Sequence, residues 1–206
     1  CDVMGIDPYP ITNPGRHNME LVNIGMNAVE NTGNTTVWGV PQFFNKANYV
    51  LQAKGNPELR AKYSDPTEEE MRAMCLMMAI KGAKGFVGYS YFDFFTQDAM
   101  HNADKRWPEV CRVGEMLKEL APFLLSDKDA PSITVESKQG KVFAKAFADE
   151  KGNVKVLVAG IGPDKSEAVI SIPQNMNLKS RFGETKLSSP GKYVFQGNDI
   201  CCDILE

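Results

Sequence analysis

Asp2-Val3-Met4-Gly5-Ile6-Asp7-Pro8-Tyr9-Pro10 begins with a short apolar run that stops abruptly at Asp-Pro. Val3 to Ile6 has the length and side chains of a strand, and Pro8 blocks its continuation because proline offers no N–H to a ladder. Two further runs of this kind follow, Thr36 to Val40 and Gly85 to Ser90, each leading into a loop and then a segment of helical period. The first such segment, Pro14 to about Thr32, places Met19, Val22, Met26 and Val29 on one face, with Gly33 as its stop. The second opens with Thr67-Glu68-Glu69-Glu70, a capping box in which the Thr67 hydroxyl and the Glu70 carboxylate serve each other's free N–H groups, and it closes at Gly82. The third follows Trp107, with Pro108 in its first turn and Val110, Val113, Met116, Leu117 and Leu120 at helical steps.

Strands about 33 and about 49 residues apart, each pair with a helix between, fit βαβ crossovers and a parallel sheet. Three strands do not complete a (β/α)₈ barrel, which takes eight units and roughly 250 residues. The expected fold is α/β plus all-β: the last three βα units of a TIM-type barrel followed by a small antiparallel β-sandwich. A small open sheet is the alternative. The chain opens on Cys1 rather than Met and enters a strand at once, which reads as a cut end. A missing N-terminal barrel segment or self-association is therefore the expected complement, and a lipid-modified Cys1 is the competing reading.

Past Ser126 to Pro131 the pattern changes from threes and fours to twos. Ile133 and Val135, then Val142, Ala144 and Ala146, then Val154, Val156 and Val158, then Ala168, Ile170 and Ile172 alternate as half-buried antiparallel strands do. Further strands are expected around Tyr193 to Phe195 and Ile200 to Ile204. The domains expected are 1–126, a partial barrel, and 131–206, a sandwich.

Twenty-six acidic against 23 basic residues leave a formal charge of −3 with no basic stretch, so nucleic acid is not a partner this chain predicts. No apolar run reaches the roughly 18 residues of a membrane helix, and no membrane partner is expected. The five cysteines form no C-x-x-C pair; Cys75 and Cys111 fall in apolar helical stripes and read as buried free thiols. With only His17 and His101 besides, neither a metal nor another cofactor is expected.

In parallel α/β sheets function gathers at the C-terminal ends of strands. Those ends read Ile6-Asp7-Pro8-Tyr9-Pro10, Val40-Pro41-Gln42-Phe43-Phe44 and Tyr89-Ser90-Tyr91-Phe92-Asp93-Phe94-Phe95. A pyranose offers an apolar face to stack on a ring and a rim of hydroxyls for carboxylates and amides, so this mixture, with Trp38, predicts a carbohydrate cleft. Phe43, Phe92 and Phe95 read as core, whereas Tyr9, Tyr89 and Tyr91 stand open between core and cleft. Asp7 is either a turn former or a functional carboxylate. Gln42 is expected to face substrate, since its amide is costly to bury without partners.

The motifs Asp2 to Pro10, Val37-Trp38-Gly39-Val40-Pro41-Gln42-Phe43, Pro66 to Glu70 and Gly82-Ala83-Lys84-Gly85-Phe86 through Tyr89-Ser90 resemble the closing units of bacterial (β/α)₈ glycoside hydrolases of the beta-galactosidase-like kind. The segment from about Pro131 resembles the β-sandwich that follows such barrels. The resemblance implies an O-glycosyl hydrolase acting on poly- or oligosaccharides, with an extracellular or periplasmic location. It places a catalytic Glu where this chain has Gln42, a neutral amide, which leaves Asp7 as the catalytic candidate, with Asp93 and Asp98 behind it. Tyr9, Trp38, Gln42, Tyr89 and Tyr91 are the expected sugar ligands. The alternative is a non-catalytic carbohydrate-binding protein with a degenerate cleft.

Overall fold

A computed structural model describes residues 1–12, 17–30, 36–95 and 103–206. Asp98 and the ends of the first expected helix, including Pro14 and Gly33, lie outside the described residues. Three short strands, β1 (Val3–Ile6), β2 (Thr36–Gly39) and β3 (Gly85–Phe86), form a parallel sheet in the order β1-β2-β3. Its register pairs Ile6 with Gly39 and Trp38 with Gly85.

Between these strands run α1 (Glu20–Glu30), the single-turn α2 (Pro57–Arg60) and α3 (Glu68–Ile80); α4 (Ala103–Leu124) follows β3. α3 starts at the predicted capping box: Glu70 N–H donates to Thr67 Oγ1 at 3.2 Å and Thr67 N–H to Glu70 Oε2 at 2.6 Å. α4 begins before Pro108, which therefore lies inside the helix rather than in its first turn. Cys111 on that helix is exposed, unlike the buried Cys75.

The strands β4 (Thr134–Gln139), β5 (Val142–Ala148), β6 (Val154–Ile161), β7 (Ser166–Ser171), β8 (Thr185–Ser189), β9 (Lys192–Gly197) and β10 (Ile200–Leu205) are all antiparallel. They make two sheets, in the orders β10-β6-β5 and β4-β7-β9-β8. Val142, Ala146, Val156 and Val158 from the first pack with Ala168, Ile170, Tyr193 and Phe195 from the second. The other face of β10-β6-β5 turns Leu157, Ala159, Cys202 and Ile204 into a core shared with α3 and α4. That sheet is covered on both sides, so every residue of β10 is buried. Asp203 is tolerated there because its carboxylate accepts from Ser180 Oγ at 2.6 Å and from the Phe182 and Ile204 N–H groups at 2.9 and 2.8 Å.

α3 lies between the parallel sheet and β10-β6-β5, which explains why it is apolar all round: Met71 and the run Ala73 to Ala79 have no exposure. Against the parallel sheet it meets Gly39, where a Cβ would stand 2.5 Å from Met78 Sδ.

This architecture corrects the expected barrel. The chain is a mixed α/β protein whose ten strands, among the described residues, fall into three mostly antiparallel sheets; the parallel portion is an open three-strand sheet, and no series of TIM-barrel βα units is formed. Strand spacing specifies that neighbours are parallel but carries no information on how many strands share a sheet. The helices, moreover, are shared with an antiparallel sheet on their far side. A single hydrophobic cluster runs across residues 126–131 from Met77 to Leu157.

Candidate functional site: a tyrosine-rich cluster at the parallel strand ends

Three loops leave the C-terminal ends of β1, β2 and β3, and one side chain ties the first two together. Gln42 has no exposure; its Oε1 accepts the Ile11 N–H at 2.9 Å, and its Nε2 donates to Ile11 O at 2.7 Å and Phe44 O at 3.0 Å. Its amide is satisfied by backbone, so Gln42 is a brace for the loops and not the substrate-facing group its polarity suggested. The third loop joins through backbone bonds, Tyr89 N–H to Pro41 O and Phe43 N–H to Tyr89 O.

This bracing gathers rings. Tyr9 stacks on Tyr89 with centroids 5.9 Å apart and planes at 27°, and Phe44 meets both edge-on, 4.9 Å from Tyr9 and 5.6 Å from Tyr89. Tyr49, from a 3-10 turn over Lys46–Tyr49, packs on Phe44 at 4.8 Å, and Phe92 meets Tyr89 at 6.2 Å. The Asn45 side chain starts that turn by accepting the Ala47 N–H at 2.9 Å. The ammonium of Lys46 stands 5.4 Å from the centroid of Tyr9.

Two carboxylates border the rings in different settings. Asp7 is exposed, and its Oδ2 accepts from the Tyr9 hydroxyl at 3.0 Å. Asp93 is 4% exposed; it accepts from Tyr49 OH at 2.8 Å, from Asn48 Nδ2 at 2.9 Å and from Ser90 Oγ. Arg60 supports this network through Asn48 Oδ1 at 2.6 Å. Desolvation, reinforced by the hydrogen bond to Asp7, pushes the Tyr9 phenol well above its usual range. Tyr49 is pushed the same way, by desolvation first and then by its bonds to Tyr89 and Asp93. Both phenols stay protonated at neutral pH and act as neutral donors.

Of the expected site residues, the structure brings together Asp7, Tyr9 and Tyr89. Trp38 lies apart on the outer face of the parallel sheet over Gly85, where a Cβ would come within 2.8 Å of its Nε1, and it is 42% exposed. Tyr91 is exposed and belongs to a separate group with Phe95 and Trp107, and Tyr91 and Trp107 line an apolar pocket of about 240 Å³. Phe43 is buried as expected, but Phe92 and Phe95 are exposed. Sequence reasoning placed Phe44 among the strand-end rings without assigning it a role, and it missed Asn48 and Tyr49 as members of the cluster. Their signal was position, since both follow the end of β2, where a parallel sheet places its site. Among the described residues, no three His, Cys, Asp or Glu side chains converge as metal ligands, and no helix is long and apolar enough to cross a membrane.

A stacked tyrosine pair with a carboxylate at its edge can hold a flat apolar face and accept hydroxyl protons beside it. The buried Asp93, already accepting from three donors, orients Tyr49 and Asn48 instead. Comparison with known proteins returned no match to a family model, to a curated sequence or to a solved structure.

Proposed function

We propose that the ring cluster is a saccharide-binding surface and that the chain serves carbohydrate recognition. The observation that carries this reading is the Tyr9–Tyr89 stack with Asp7 hydrogen-bonded at its edge. A pyranose ring laid on the half-buried Tyr9–Tyr89 stack would put C–H groups against the π face and hydroxyls within reach of the Asp7 carboxylate and the Tyr49 hydroxyl. The resemblance to glycoside hydrolases in the strand-end motifs points the same way and motivates a second reading, in which Asp7 is a catalytic carboxylate in O-glycosyl hydrolysis. Cleavage requires a second carboxyl group, about 5 Å away for retention or about 6.5–9.5 Å for inversion. Among the described residues, Asp93 is the other carboxyl group at the rings and is engaged by three donors, so binding is the better supported of the two.

Isothermal titration with neutral and acidic oligosaccharides tests the reading. Wild type should bind at least one of them, and Tyr89→Ala should weaken it by about 5- to 10-fold, in line with the ~1–1.5 kcal/mol of a lost aromatic contact. No binding across the panel would overturn the proposal. Hydrolysis by wild type that disappears in Asp7→Asn, with binding retained, would promote the second reading.

A further inference from the structure

Six cations in the described chain stand over aromatic rings, and four of them also hold a polar partner: Arg72 with Glu68, Arg181 with Glu119, Lys155 with Glu206, and Lys81 with Asn27. Lys46 and Lys145 have no hydrogen-bond or ion-pair partner among the described residues. Lys145 lies on β5, far along the chain from the site. Lys46 stands over Tyr9, the ring that stacks on Tyr89. Its stem is half-buried, and its backbone is fixed in the turn capped by Asn45. The turn thus starts the side chain beside the rings, with its ammonium over Tyr9 and no ion pair among the described residues.

The surrounding sequence has the same bias. From Lys46 to Lys62 there are four cations, Lys46, Lys54, Arg60 and Lys62, against the single acid Glu58. Of the two carboxylates at the rings, Asp93 is occupied by Ser90, Tyr49 and Asn48, and Asp7 accepts from the Tyr9 hydroxyl. A neutral sugar needs no ammonium at this edge. An anionic ring substituent would gain a charge-assisted hydrogen bond from one, and the aromatic surface beside it lowers the competition from water.

We propose that the saccharide bound at the Tyr9–Tyr89 stack is acidic, carrying a carboxylate or sulfate ester, and that Lys46 receives this anionic group and sets the specificity. The inference rests on the saccharide reading above. Lysine, a compact charge on a flexible stem, accepts either anion without the fixed two-point geometry of arginine.

The test compares binding of a uronate oligosaccharide, a sulfated oligosaccharide and the neutral parent of each, by calorimetry at low and high salt, to wild type, Lys46→Met and Lys145→Met. Wild type should prefer at least one acidic ligand by about 10-fold or more, and the preference should shrink as salt rises. Lys46→Met should bring acidic binding down to the level of neutral binding, and Lys145→Met should leave the preference unchanged. The arm that retains the preference in wild type identifies carboxylate or sulfate as the anion. Equal binding of acidic and neutral ligands, or a preference that survives in Lys46→Met, overturns the role of Lys46 and leaves saccharide binding intact. A complete absence of binding overturns the saccharide reading and this inference with it.

Discussion

Among the described residues, two three-stranded sheets meet opposite fates. In β10-β6-β5 one face packs on the second antiparallel sheet and the other on α3 and α4, and β10 and the second half of β6 are buried without a break. In β1-β2-β3 the described residues cover one face: Met4, Ile6, Val37 and Gly39 turn toward the helices, while Val3, Gly5, Thr36 and Trp38 alternate with them on an exposed side. A continuously buried strand contributes stability from both faces. A strand covered on one side contributes less, but its ends remain open to ligands, and the ring cluster stands at those ends.

If this division is real, truncations in the two sheets should differ in size. Leu157→Ala, at a fully buried position of β6 facing the helices, should lose about 2–5 kcal/mol of stability in chemical denaturation. Trp38→Ala, on the exposed face of β2, should lose less than about 1.5 kcal/mol, because the side chain is already in partial contact with water. Equal losses would mean that the outer face of the parallel sheet is as well packed as the interior.

Gln42 connects the two properties, since it is buried like a core residue but serves the site. Gln42→Leu leaves the Ile11 N–H and two carbonyls without partners and should cost about 1–3 kcal/mol by denaturant melts. It should also weaken saccharide binding more than Trp38→Ala does, by releasing the loops that carry Tyr9 and Phe44. A Gln42→Leu protein that binds normally would show that the loops hold their arrangement without the brace.

The smallest effect concerns carboxyl groups beside the buried sheet. Burial, with the nearby Asp203 carboxylate, raises the Glu184 carboxyl above its ordinary range, and burial with Glu184 as neighbour does the same to Glu69. A folded-state pKa above the unfolded value means that the folded protein binds the proton more tightly. This contribution is therefore most favourable below the unfolded value, about 4.3, and declines as pH rises through the folded pKa. Glu184→Gln removes the ionisation and should raise the melting temperature slightly at neutral pH while flattening its fall as pH rises through the folded carboxyl's range. A lower melting temperature at neutral pH would show that ionised Glu184 makes a favourable contact.

Much of this division is legible in the sequence, and the parts that are not have identifiable causes. The capping box at Thr67 and Glu70 is local chemistry and reads directly. The alternation in β5 and β7 is equally plain, whereas β8 has a single large apolar residue, Leu187, and that one is exposed, so periodicity gives no sign of it. The unbroken apolar run of α3 signals a helix buried on every side without naming the sheet on its far face, and the barrel expectation failed there. Gln42 was misread because a buried amide and a ligand-binding amide look alike in sequence; its partner Ile11 is 31 positions away. Tyr49 sits in a 3-10 turn, which has no period to follow, and only its place after β2 marks it.

The most direct measurement is a map of amide chemical shifts in a labelled sample as an acidic oligosaccharide is added. Saccharide recognition at the parallel strand ends predicts shifts concentrated in residues 7–12, 42–50 and 89–95, with Thr36 to Trp38 and the antiparallel strands nearly unmoved. Shifts centred on the outer face around Trp38, on the Tyr91–Trp107 pocket, or nowhere at all would contradict it.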